Sequence, residues 1–120
     1  MNRRHRALPV WVEAMDLVIE VYRLTALFPR EETYGLSSQM RRAAVSIPAN
    51  VAEGAARGGT KELVQYLSIA LGSTSELDAQ LEIASRLGYC TNAAAVQVRL
   101  DSVSSQLVAM RSKLRARARS

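Results

Sequence analysis

Few of the 120 residues carry side chains that can make or break bonds. His5 is the only histidine and lies among Arg3, Arg4 and Arg6, ahead of the first apolar run. A Ser-His-Asp triad needs a histidine in the body of the fold, and the Glu-x-x-His motifs of di-metal bundles need more than one. Both are excluded, and His5 reads as a solvated tail residue. Cys90 follows Gly88-Tyr89 with no base identifiable beside it, so it reads as a half-buried turn residue rather than a nucleophile. Glu31-Glu32 and the pair Glu76 and Asp78 are paired acids without a histidine, better suited to solvated faces than to general acid–base work. Gly58-Gly59 lacks the spacing and the Lys-Ser/Thr ending of a phosphate-cradling loop and reads as a helix stop. The expectation is a protein that is not an enzyme and uses no metal or cofactor.

Two other sets of polar residues have chemistry to offer. Arg3, Arg4 and Arg6 at one end and Arg111, Lys113, Arg115, Arg117 and Arg119 at the other account for eight of the sixteen basic residues, with no acid among them. The net charge is +5, so the body between them carries −3: the basicity is terminal. Short basic arms meet phosphate, in nucleic acid or at an anionic surface. The second set lies inside the helical region. Arg41, Arg42, Ser46, Asn50 and Glu53 recur along one segment; Glu62, Ser73, Glu76 and Gln80 recur along the next, on or beside its apolar stripe. They form either a polar groove for a ligand or partner, or hydrogen bonds and ion pairs that fix register between helices or subunits, the better-attested use of such groups.

Four helices must position these residues. Hydrophobic residues make up 48% and aromatic residues only 5%, with Ala and Leu abundant, which favours helix packed on helix. Val10, Ala14, Leu17, Val21, Leu24 and Phe28 alternate spacings of four and three, giving a helix over about 9–28 that Phe28-Pro29 ends. A second, over about 36–57, buries Leu36, Met40, Ala43, Ile47 and Val51 and carries Pro48 inside it, which predicts a kink with Ser46 and Asn50 at hand to replace hydrogen bonds. The third, over about 61–87, has Thr60 as N-cap, a stripe of Leu63, Leu67, Ala70, Thr74, Leu77, Leu81 and Ala84, and Gly88 as left-handed C-cap. Thr91 or Asn92 caps the fourth, over about 92–114, where Ala93, Val96, Leu100, Val103, Leu107, Met110 and Leu114 repeat the alternation. Short connections make the neighbours antiparallel, so the expected fold is an all-α up-down-up-down four-helix bundle over 9–114, with basic ends at 1–8 and 115–120. Four passes return the chain to its starting pole, which gathers both basic ends there. Apolar residues off the main seam, namely Trp11, Met15, Val18, Ile19 and Tyr22 in the first helix and Tyr66, Ile69 and Ile83 in the third, suggest either a wide core stripe or self-association. A lone cysteine and the absence of a long uncharged run point to a cytoplasmic protein with no membrane partner.

The run YGLSSQMRRAAVSIPANVAEGAARG (34–58), followed by KELVQYLSIALGSTSELDAQLEIASRLGY (61–89), closely resembles the family of 23S rRNA-intervening sequence proteins, four-helix bundles encoded within insertions in bacterial large-subunit rRNA genes or as stand-alone genes. The opening Trp11-x3-Met15-Asp16-Leu17-x3-Val21-Tyr22 fits the same pattern, and the SIPANVAEG string is its most specific part. The resemblance implies a bundle that assembles as a ring-like homopentamer. It implies no catalytic residues. A more distant likeness is to the accessory protein of diversity-generating retroelements, a basic pentamer that binds nucleic acid; here the acidic body departs from that pattern. The expected protein is a homo-oligomer associated with RNA or DNA through its basic ends, or a scaffold. The alternative is a protein–protein adaptor that binds no nucleic acid.

Overall fold

Pro9 occupies the first turn of α1 (Pro9–Thr25), where its missing N–H costs no helical bond. α2 spans Leu36–Arg57, α3 spans Thr60–Arg86 and α4 spans Ala94–Arg119, with short 3-10 turns at Arg4–Ala7 and Arg30–Glu32. These bounds come from a computed structural model that describes residues 3–119. α1 packs on α2, α2 on α3, α3 on α4 and α4 on α1, while among the described residues neither diagonal pair brings its backbones close. Neighbours run antiparallel, so the expected all-α up-down-up-down bundle is the fold.

The seam read from the sequence is the core. Val10, Ala14, Leu17, Val21 and Leu24 of α1 meet Met40, Ala43, Ile47 and Val51 of α2. Leu67, Ala70, Leu77, Leu81 and Ala84 of α3 and Val96, Leu100, Val103 and Leu107 of α4 complete it, all buried. Each large apolar side chain so buried contributes roughly 1.5–3 kcal/mol. Leu36, Leu63, Met110 and Leu114, nearer the helix ends, are half-buried against this core.

The helix ends differ from expectation in four places, each for a local reason. α1 stops at Thr25, not Phe28. The Leu27 and Phe28 amides turn to carbonyls three residues back, Leu24 at 3.2 Å and Thr25 at 3.1 Å, while the Thr25 hydroxyl donates to the Val21 carbonyl at 2.8 Å and Arg41 Nη2 of α2 to the Tyr22 carbonyl at 3.2 Å. Phe28 remains buried, its ring 5.5 Å from that of Tyr89. Thr60 is the first residue of α3 rather than its cap; Gly59 holds the cap position, with no side-chain capping bond. α4 begins at Ala94 because the Ala93 carbonyl accepts the first helical bond, from Gln97 N at 2.9 Å, leaving Thr91 and Asn92 outside. It then runs to Arg119, well past Leu114. Alternating Ala and Arg propagate helix well, and cations at a C-terminus complement the helix dipole. Gly88 does take the left-handed conformation, φ 76°, with Tyr89 N bonded to the Ala84 carbonyl at 3.0 Å.

α2 continues through Pro48, which is buried. Proline leaves the Ala44 carbonyl without its usual donor. Two residues on, the Asn50 amide donates to the Ser46 carbonyl at 2.8 Å and to Ser46 Oγ at 2.9 Å. Near the other end of α2, Gly54 lets α3 come close: a Cβ there would lie 2.8 Å from Tyr66 Cβ and 3.0 Å from Leu63 Cδ1.

Candidate functional site

Both basic ends gather at one pole. The Arg4–Ala7 turn packs on α1 and α2, and Arg4 and Leu8 line a cavity with Gly58 and Gly59 of the α2–α3 turn and Met110 of α4. The register between α1 and α4 says how far α4 extends. Glu20 meets Arg99, and seven residues back along α1, Glu13 meets Gln106, seven residues on along α4. Extending that register sets Pro9 level with Met110, so Arg111–Arg119 reach past the start of α1, at the end of the bundle where the N-terminal arm lies.

The C-terminal cations are therefore carried on helix, not on a tail. Arg111, Arg115 and Arg119 recur four apart along one side of α4, and Lys113 and Arg117 along another. Lys113, Arg115, Arg117 and Arg119 are exposed, as are Arg3, Arg4 and Arg6; the Arg6 guanidinium lies 5.6 Å from the Trp11 ring centroid. Arg111 differs. Its Nη1 donates to Ser68 Oγ of α3 at 3.2 Å and its Nε is buried, so it belongs to the α3–α4 seam as much as to the pole. His5 is not the solvated residue expected: it packs edge-on against Trp11 with ring centroids 4.9 Å apart. Acids at this pole are few. Glu53 pairs with Arg57 at 3.5 Å, and Glu62 sits in the first turn of α3, where the dipole favours it.

The polar set on α2 and α3 divides. Ser46, Asn50 and Ser73 come together: Ser73 Oγ donates to Ser46 Oγ across the α2–α3 interface at 2.8 Å, beside the Asn50 bonds. Gln80, only 6% exposed, donates to Glu76 of its own helix at 3.2 Å. Arg57 reaches across to Tyr66 Oη at 3.1 Å. Arg41 does not join this set. It faces α1, where Nε donates to Thr25 Oγ1 at 2.8 Å and the guanidinium lies 4.5 Å from the Tyr22 ring centroid. Arg42 is exposed at the surface beside it. Ser46 and Ser73 thus tie α2 to α3, while Arg41 ties α2 to α1.

Two polar clusters lay outside the sequence reading. On the α1–α4 face, Arg99 donates from Nε to Glu20 and has Nη1 3.7 Å from Asp16 and 3.9 Å from Glu13. The Glu20 hydrogen bond, then the surrounding acids, raise the Arg99 pKa still further against a desolvation effect of opposite sign. The signal was present in Glu13, Asp16 and Glu20, whose spacing puts them along one flank of the α1 stripe. At the opposite pole, Tyr89 Oη donates to Glu32 Oε2 at 2.7 Å while Glu32 Oε1 accepts from Leu36 N at 3.1 Å, joining the α3–α4 turn to the start of α2. Those two bonds, Tyr89 first, hold the Glu32 carboxyl below its ordinary value, and Glu32 in turn raises the Tyr89 phenol.

Among the described residues no group of three or more His, Cys, Asp or Glu is placed to hold a metal, and no helix is long and apolar enough to cross a membrane. Cys90 is half-buried, with Ser85 Oγ 3.9 Å from its sulfur. No curated protein matches the chain. A crystal structure at 1.70 Å of a protein with unknown function from the S23 ribosomal protein family of Bacteroides thetaiotaomicron superposes with a TM-score of 0.77 over 84% of this chain and 96% of that one. At 21% identity that likeness speaks to the fold alone. The profile of the 23S rRNA-intervening sequence proteins matches residues 6–109, which takes in α1, α2, α3 and the first part of α4 and leaves Arg3, Arg4 and Arg111–Arg119 outside it. The chain belongs to the 23S rRNA-intervening sequence protein family.

Proposed function

We infer that this protein is a nucleic-acid-associated module, not an enzyme, that grips phosphate at its basic pole and is presented as a homo-oligomer. The observation that carries the reading is the convergence of the N-terminal arm with the last turns of α4 beyond the start of α1. Arg3, Arg4, Arg6, Lys113, Arg115, Arg117 and Arg119 share that pole, with Arg111 at its inner edge. Guanidinium forks suit phosphate, which carries no base identity, so binding through them is sequence-tolerant. Self-association has its own support. Val12, Met15 and Ile19 are 39–49% exposed along the outer side of α1, a stripe that a monomer leaves in water. A cyclic oligomer such as the pentamer would set every basic pole on one rim.

The test is fluorescence anisotropy with an RNA hairpin, comparing the full chain with a variant in which Lys113, Arg115, Arg117 and Arg119 are glutamine. Truncation is avoided because Leu114 packs against the core. For about five neutralised phosphates, affinity should fall on the order of 100-fold between 50 and 200 mM salt. The variant should bind weakly and lose most of that salt slope. Equal binding by the two proteins, or binding indifferent to salt, refutes the assignment and favours the adaptor reading.

A further inference from the structure

We propose that the loop-bearing pole, at the far end from the basic rim, contains a binding site for the phosphate monoester of a nucleoside: a nucleotide. A cavity of about 320 Å³ opens between the end of α1 and the start of α2, lined by Thr25, Arg30, Thr33, Ser37 and Arg41 among others, with no carboxylate in its wall. Three hydroxyls and two guanidinium groups without an acid is a composition for a tetrahedral oxyanion with several acceptor atoms. Two of its members have capacity to spare. Ser37 is only 6% exposed as a residue, and its hydroxyl engages no group among the described residues, so it is open to a ligand atom in the cavity. Arg41 spends Nε on Thr25 and Nη2 on the Tyr22 carbonyl, which fixes the guanidinium and leaves Nη1 without a partner among the described residues. Arg30 is exposed and pairs with no carboxylate among the described residues. The acids nearest in sequence do not compete: Glu32 is held by Tyr89 and Leu36 N, and neither it nor Glu31 lines the cavity.

Arg41 and Thr33 also line a second cavity of about 430 Å³, completed by Tyr22, Tyr34, Ser38, Arg42 and Val45. Tyr34 is 96% exposed there, beside the exposed Arg42, and a flat ring against Tyr34 or a guanidinium plane gains stacking energy whatever its sequence identity. Phosphate in the first cavity and base in the second share Arg41 as the wall between them. The source is a free nucleotide or the 5′-terminal nucleotide of a strand.

The experiment titrates the full chain at physiological salt with AMP, adenosine and a 5′-phosphorylated dinucleotide, following backbone amides by NMR. Saturable shifts centred on residues 30–38 are expected with AMP, with adenosine at least about tenfold weaker because the charge-assisted bonds are lost. Arg30→Ala should weaken AMP about tenfold. Ser37→Ala should weaken it several-fold while leaving the melting temperature unchanged or raised. The glutamine variant of Lys113, Arg115, Arg117 and Arg119 should bind AMP as before, which separates this site from the basic rim. A dinucleotide binding as well as AMP identifies strand ends as the source; a dinucleotide failing where AMP binds identifies a free nucleotide. Absence of saturable shifts at about 10 mM AMP, equal binding of adenosine, or shifts confined to α4 would overturn the site.

Discussion

Gly54 and Gly72 both lie inside helices, and helix propensity treats them alike: alanine at either gains about 1 kcal/mol. The structure separates them. At Gly72, exposed on α3, a new Cβ would have nothing within 4 Å. At Gly54 it would meet Tyr66 Cβ at 2.8 Å and the Leu63 Cα at 3.4 Å, atoms that cannot swing aside without moving α3. Overpacking of this kind costs about 1–3 kcal/mol. Gly72→Ala should therefore stabilise by about 1 kcal/mol, whereas Gly54→Ala should lose up to about 2 kcal/mol net. Because the propensity gain cancels between the two variants, their difference of about 1–3 kcal/mol measures the close approach alone. For a chain of this length each kcal/mol moves the melting temperature by roughly 3–5 °C. Circular dichroism melts and urea titrations, run at matched concentrations because an oligomer's stability depends on concentration, would read it. A Gly54→Ala protein as stable as Gly72→Ala would refute the claim that α2 and α3 need glycine at their crossing.

Two further outcomes follow from the polar clusters. Arg99→Met should destabilise by about 1–2 kcal/mol in urea titrations, the cost of a partly exposed network rather than a fully buried pair, since Glu13, Asp16 and Glu20 are left facing one another; a variant as stable as the parent would remove the network from the balance. Glu32 has a lowered pKa in the folded protein, so its contribution is present above the ordinary carboxylate range and is lost as pH falls through the lowered value; Tyr89, raised, contributes below its ordinary range and loses its effect as pH climbs through the raised one. Tyr89→Phe should accordingly reduce stability between about pH 5 and 9 and flatten the acid limb of the pH–stability curve, and an unchanged limb would remove Glu32 from its cause.

Periodicity by itself determined the bundle, its seam and the shared pole of the two ends. Spacings of four and three admit only one buried stripe per helix, and four antiparallel passes close on the starting pole. The SIPANVAEG string added the family. What the sequence could not hold is set by the distance and angle between helices. Arg41 and Ser46, a few residues apart on α2, serve different neighbours, because residues at different angles around one helix face different partners. The Tyr22 carbonyl, besides its helical bond from Ala26 N, accepts from Arg41, a residue of the next helix. Arg99 finds three acids, Tyr89 finds Glu32, and the hydroxyl of Ser37 is left over in a cavity, through contacts between residues far apart in the chain or on separate elements. Such contacts depend on register, which local pattern does not encode. Helix stripes are a property of neighbouring residues and legible in order; polar partners are chosen by packing, and only the assembled bundle decides them.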